Sequence, residues 1–466
     1  MAEPRVIPQV IVVGAGPAGV RAAEALVQAG LRPVVIDEGR RDGGQIYRRQ
    51  PEGFKRPYAA LYGSEAARAK ALHDSFEALR GRIDYRAETL AWSLWENELH
   101  VASGDRVEAL RFDALIVASG ATDRLMPTQG WHRAGVYSLG AAQIALKAQA
   151  TAIGRRVVFL GTGPLLYLVA AQEHKAGATV AAVLDSSPLS LRLKALPKLL
   201  ARPEVLVKGL GLVARLRLAG IPLRTGVTPV EIAGDPLDGV AGVTYRDRGG
   251  DLHTIDCDAV GMGYHLRPET QLADLARCEF RFDAETRQWL PAIDEDGRSS
   301  IEGVYLAGDG ARLLGADGAE AAGHLAALAL LSDAGHGGLE AEMARLRLTL
   351  LQMDRFRRGL AAAFPWPAEA ARALPDEAVV CRCETITAGT LRQGVAELGA
   401  CELNRSKALT RVGMGRCQGR YCGHAAAEVV AAAAGLPLEA VGRLRGQAPV
   451  KPLIIAADSA DTEAAA

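Results

Sequence analysis

Four of the seven cysteines in this 466-residue chain fall into two tight pairs. Cys381 and Cys383 stand in VVCRCETIT, and Cys417 and Cys422 in GMGRCQGRYCGH, with 33 residues between the pairs. Four converging thiolates repel one another unless a metal neutralises them, and soft sulfur ligands suit iron–sulfur clusters or zinc. The C-x4-C pair is neutral between these two, whereas C-x-C is a short bite that fits a cluster approached from one strand end. Glycines around the second pair free backbone N–H groups to point at sulfur. Together with Arg416 and Arg420 nearby, they would raise a reduction potential. Cys401 reads as packing, and Cys257 and Cys278 as buried or partly buried thiols.

Two glycine-rich turns supply a second kind of chemistry. GAGPAG places Gly14, Gly16 and Gly19 after the β-branched run Val10–Val13 and ahead of an alanine-rich helical pattern. Such a turn takes a pyrophosphate on the free N–H groups of the helix start. Asp37, with Glu38 beside it, closes the next strand about twenty residues on, at the spacing for an acid that binds the adenosine ribose. These residues read only the ADP half of a dinucleotide, so FAD and ATP both fit them. The second turn, GTGPLL, has Gly161 and Gly163 but Leu166 at the third glycine position. Asp185 after the next strand could accept a ribose 2′-OH and would repel a 2′-phosphate, favouring NAD over NADP. The alternative is a scaffold that has lost its ligand.

Positioning these residues takes an α/β fold with two Rossmann-like dinucleotide-binding domains and a small C-terminal metal domain. Residues 1–125 and 296–335 are expected to form the first nucleotide domain, and 126–295 the second. A basic helical insertion spans 186–220, a helical linker 336–375, the cysteine domain 376–440 and a tail 441–466. Equal numbers of basic and acidic residues, 54 each, give no electrostatic case for a nucleic-acid partner. The chain shows neither a cleavable leader pattern nor an apolar stretch long enough for a bilayer, so a cytoplasmic protein is expected, with peripheral membrane or quinone contact left open.

Which dinucleotide binds is suggested by three further stretches. GGQ (Gly43, Gly44, Gln45) follows Asp37, ALIVASGA ends another strand, and GVYLAGDGA carries Asp309. In this order they resemble the flavoproteins related to thioredoxin reductase. There GGQ lies beside the isoalloxazine and the GD aspartate binds the ribityl–phosphate part. The resemblance therefore implies FAD held with Gly44, Gln45 and Asp309. Residues 1–375 carry no C-x-x-C for disulfide reduction and no histidine–carboxylate constellation; His265 and His324 read as structural.

The cysteine segment resembles the [2Fe–2S] domain of bacterioferritin-associated ferredoxins. Fused behind the flavoprotein core, it resembles the large (α) subunit of heteromeric dye-linked amino-acid and opine dehydrogenases. This is the group of D-hydroxyproline dehydrogenase, octopine and nopaline oxidases and hydrogen cyanide synthase. That resemblance implies Cys381, Cys383, Cys417 and Cys422 as cluster ligands and a smaller FAD subunit of the D-amino-acid oxidase type. It also implies, in some complexes, an FMN at a subunit interface and a further small subunit. The expected function is an electron-transfer subunit. Its partner would oxidise a C–N bond in an amino acid, imino acid or opine, and electrons would leave through the cluster. The rivals are a self-sufficient NADH-dependent reductase and an ATP-binding scaffold with structural zinc.

Overall fold

The computed structural model describes residues 9–235 and 237–454. Two parallel five-stranded sheets organise the chain. The first runs in the order Val304–Leu306, Ala114–Val117, Val10–Val13, Val34–Ile36, Asp84–Arg86. Its central strands are continuous apolar runs because helices and an antiparallel meander cover both faces, leaving no polar side. The second runs Leu223–Thr225, Thr179–Asp185, Arg156–Thr162, Ala259–Tyr264, Val136–Ser138. Two three-stranded meanders, Leu90–Arg111 and Thr228–Asp256, have no counterpart in the motif reading.

In the first sheet the helix Pro17–Gln28 starts at the glycine turn with proline at its first position, where a missing N–H costs nothing. The helix Gly315–Asp333 lies across it. The crossing depends on Gly323, where a Cβ would overlap the Ala18 carbonyl. The helix Gly315–Asp333 therefore packs on the helix that begins at the first turn.

The basic insertion forms two helices, Leu189–Leu199 and Pro203–Leu218, in the crossover between two strands of the second sheet. The stretch read as a linker is packed. Phe364 and Trp366 are buried, and Ala368–Arg372 forms a short helix. Apolar side chains of the cysteine region share one core with the second sheet, and the indole N–H of Trp131 donates to the Val379 carbonyl.

The tail is also tied down in part. Val450 is buried, its N–H bonds the Trp92 carbonyl at 2.9 Å, and Lys451 pairs with Glu38. Residues 455–466 of the expected tail lie outside the described residues. Among the described residues no helix is long and apolar enough to cross a membrane.

Gly323→Ala would gain about 1 kcal/mol of helix propensity in an open helix. Here it must separate two helices, and a net loss of about 2 kcal/mol is expected. Urea unfolding measures it; a stabilised variant would refute the close crossing.

Candidate functional site

The first glycine turn has the shape of an anion seat. Gly14 has φ +107° and lies against the Ala118 carbonyl, and Gly19 permits contact with the Gly14 carbonyl. The N-terminus of the following helix has no side-chain cap, so its N–H groups stay open to a ligand. The GGQ turn folds onto it. The Gly43 N–H bonds the Ala15 carbonyl at 2.9 Å, and a Cβ on Gly44 would come within 3.0 Å of the Gly16 Cα. Residues about thirty apart in sequence thus form one backbone surface without side chains.

Asp37 accepts the Ala15 and Gly39 amides at 2.6 and 2.7 Å. Burial holds its carboxyl above the ordinary value against the pull of those amides. Glu38 is exposed and paired with Lys451 of the tail. Gln45 is exposed and receives Arg48 at 2.8 Å. Asp309 accepts the amides of Leu314 and Gly315 at 2.9 and 3.0 Å, capping the helix Gly315–Asp333, and burial lifts its carboxyl to about 6. It sits beside the first turn, because Gly308 packs on Ala18 and Gly310 on Ser119.

Lys147 has no place in the motif reading. Its ammonium is almost fully buried and donates to the Ile46 carbonyl at 3.1 Å, next to Gln45. Burial lowers it to about 8. It comes from a helix of the second sheet's layer, so no local pattern announces it.

The second turn is closed by its own side chains. Gly161 lies against the Gly263 carbonyl, and the imidazole of His265 stands over Gly163. Leu166 is fully buried. Asp185 has no exposed surface, and four protein donors take its oxygens: Thr162 Oγ1, the Ser187 amide, Tyr167 Oη and Arg192 Nη2, at 2.6–2.8 Å. An aspartate used this way has no lone pair directed at solvent for a ribose.

The two cysteine pairs meet. The Cys422 side chain neighbours those of Cys381 and Cys417, and the Cys417 side chain neighbours that of Cys383, so the sulfurs form a row. Among the described residues no group of three or more His, Cys, Asp or Glu side chains is placed to hold a metal ion. Hydrogen bonds from Cys422 hold Cys381 down at about 6 and Cys417 at about 5, while Cys422 is pushed well above the usual thiol value. Backbone amides of Cys383, Glu384 and Gly413 face Cys381 sulfur, and those of Gly419 and Tyr421 face Cys417. Gly415 leaves room for the Cys383 Cβ, and Leu444 fills the space over Gly413 and Gly419.

The loop bearing Cys417 and Cys422 is clamped to the second sheet's layer. Buried Arg420 pairs with Glu269 through two bonds of 2.6 and 3.2 Å and also donates to the carbonyls of Cys417 and Val450. Arg267 donates to the Arg420 carbonyl, and Gln271 to that of Gln418. The Arg420 charge is therefore compensated by Glu269, whereas Arg416 is exposed.

Two glycine turns on parallel sheets, with the helices they require, define a two-dinucleotide-fold oxidoreductase. The family model for pyridine nucleotide-disulphide oxidoreductases matches residues 8–327. An opine oxidase subunit from Rhizobium meliloti is 37% identical over 463 residues, covering 96% of this chain and 86% of its own length. The hydrogen cyanide synthase subunit HcnB of Pseudomonas protegens is 31% identical over 457 residues, covering 95% of this chain and 96% of its own. In fold, the L-proline dehydrogenase of P. horikoshii superposes with TM-score 0.69 at 21% identity, over 98% of this chain and 80% of that one. The chain belongs to the pyridine nucleotide-disulphide oxidoreductase family and, over almost its whole length, to the group containing HcnB and the opine oxidase subunit. It is an oxidoreductase.

His265 gives a pH test of the closed second turn. Burial pushes its imidazole down to about 4, and its Nε2 meets the Phe364 carbonyl. The unfolded chain takes up the proton first, near 6.5. The stability His265 contributes is thus complete above pH 6.5 and lost as pH falls toward 4. His265→Asn keeps a residue that tolerates its φ of +66°. Between pH 7 and 5 the wild-type unfolding midpoint should fall further than the variant's; equal falls would contradict a buried neutral imidazole.

Proposed function

We propose that this chain is the electron-relay subunit of a heteromeric dehydrogenase that oxidises the C–N bond of an amino acid, imino acid or opine. The observation that carries the reading is the row of four cysteine sulfurs, clamped to a flavoprotein fold with no second cysteine pair near its nucleotide turns among the described residues. The donor set fits a [2Fe–2S] cluster. Four neighbouring sulfurs with no other ligand type would supply the ligands, backbone amides face Cys381, Cys383 and Cys417, and Gly415 leaves room beside Cys383. Cys381, Cys383, Cys417 and Cys422 would hold it, and bound there it would supply a one-electron outlet.

FAD is the proposed ligand of the first site. Gly14, Gly16 and the open helix start would seat the pyrophosphate, Asp37 the ribose, and Gly44, Gln45 and Asp309 the flavin end. Gly16 and Asp37 alone would serve ATP equally, so the choice rests on the GGQ turn folded over Gly16 and on Asp309 beside the same surface. Substrate oxidation belongs, in this reading, to the smaller D-amino-acid-oxidase-like subunit, with an FMN between subunits and a quinone or soluble carrier as acceptor. The names of the relatives support the division, since HcnB and the opine oxidase relative are each one subunit of an enzyme.

The NADH-reductase rival has a specific observation against it: Asp185 is consumed by Thr162, Tyr167, Ser187 and Arg192. Anaerobic mixing separates the two readings. NADH should leave the flavin of the isolated chain oxidised on the turnover timescale, whereas substrate should reduce it in the complex. Rapid bleaching by NADH alone would overturn the proposal. In the complex, Cys417→Ser should lower turnover with an external acceptor by about 10–100-fold, read by steady-state assay, while the partner's own flavin remains reducible by substrate.

A further inference from the structure

The basic helical insertion leaves a face that nothing among the described residues covers. Along Leu189–Leu199, Leu189, Leu193 and Leu196 recur at helical spacing with Leu200 just past the end, and all four are exposed, Leu193 to 68%. On Pro203–Leu218, Val207, Leu210 and Leu218 are 66%, 61% and 88% exposed. Leucine at this spacing normally turns to a core. The core-facing positions here are other residues, Ala195, Leu199 and Leu216, so the outward leucines form a second apolar stripe on each helix. Soluble monomers rarely leave this many large apolar side chains exposed on two consecutive helices, and clustered exposed apolar residues mark interaction sites.

Charge narrows the occupant. Residues 189–218 contain seven basic side chains and one acidic one, Glu204. Arg192, Lys198, Arg202 and Lys208 are ion-paired within the chain. Lys194, Arg215 and Arg217 have no ion pair among the described residues, and all three are exposed. A second copy docking through the same patch would set these cations against themselves, since a two-fold interface is self-facing. A surface with an apolar centre and an acidic rim complements it.

We infer that the Leu189–Leu218 helix pair is the docking face for a different subunit of the complex, one presenting an apolar patch bordered by carboxylates. The inference rests on the proposed heteromeric reading and gives it a location. The leucines would supply the desolvated centre, and Lys194, Arg215 and Arg217 would set orientation and association rate at the rim.

The test uses the full chain expressed in its own host, with a photo-crosslinking amino acid replacing Leu193, and the double variant Leu193→Glu/Leu210→Glu. The expected result is a crosslink to a second, different chain at a peptide rich in Asp and Glu. The double variant should lose nearly all of that chain on purification while its own unfolding midpoint is unchanged. Lys194→Glu/Arg217→Glu should weaken assembly most at low salt. A crosslink to another copy of this chain, or binding to anionic vesicles that persists in the assembled complex and is lost in the double variant, would overturn the inference. So would normal assembly of the double variant. Full substrate activity from the chain purified alone would instead sink the heteromeric reading, and the inference with it.

Discussion

The buried Arg420–Glu269 pair is the interaction on which the arrangement turns. One guanidinium binds both carboxylate oxygens of Glu269 and also the carbonyls of Cys417 and Val450. Removing Glu269 would leave the buried Arg420 guanidinium without its carboxylate, a loss that typically costs about 3–5 kcal/mol. Because Arg420 lies between Cys417 and Cys422, the pair fixes the loop that brings those sulfurs to Cys381. Through Val450 it also reaches the tail segment that bonds Trp92 and places Lys451 on Glu38. The cysteine row, the second sheet and the edge of the first nucleotide site are thereby held as one body.

The two dinucleotide folds have diverged in what they offer a ligand. The first keeps an open helix start and a bare backbone surface made by Gly16 and Gly44. In the second, the corresponding acid is spent on internal bonds, a leucine fills the third glycine position, and His265 stands over Gly163. Its sheet serves instead as the platform on which the cysteine region packs, sharing a continuous apolar core with it.

Much of this is legible in the sequence because the signals are local. Val10–Val13 with GAGPAG, the GD turn and the cysteine pairs each lie within a short stretch of chain, where backbone geometry and side-chain chemistry can be reasoned directly. The helical insertion is legible for the same reason. What escapes depends on distant partners. Nothing near Asp185 says that Tyr167 and Arg192 will capture it, and nothing near Lys147 says that it will reach Ile46 across the domains. The 336–375 stretch is expected as a helical linker, yet its Phe364 and Trp366 are buried against distant residues. Val450, in the expected tail, likewise finds its hydrogen-bond partner at Trp92, far away in the sequence.

The central claim is that the four cysteines hold a redox cluster rather than a structural ion. The most direct measurement is iron, zinc and acid-labile sulfide analysis of the anaerobically purified complex, with electron paramagnetic resonance after reduction by substrate. The account predicts about two iron and two sulfide per copy of this chain, with a spin signal that substrate elicits. Stoichiometric zinc without iron or sulfide would contradict it.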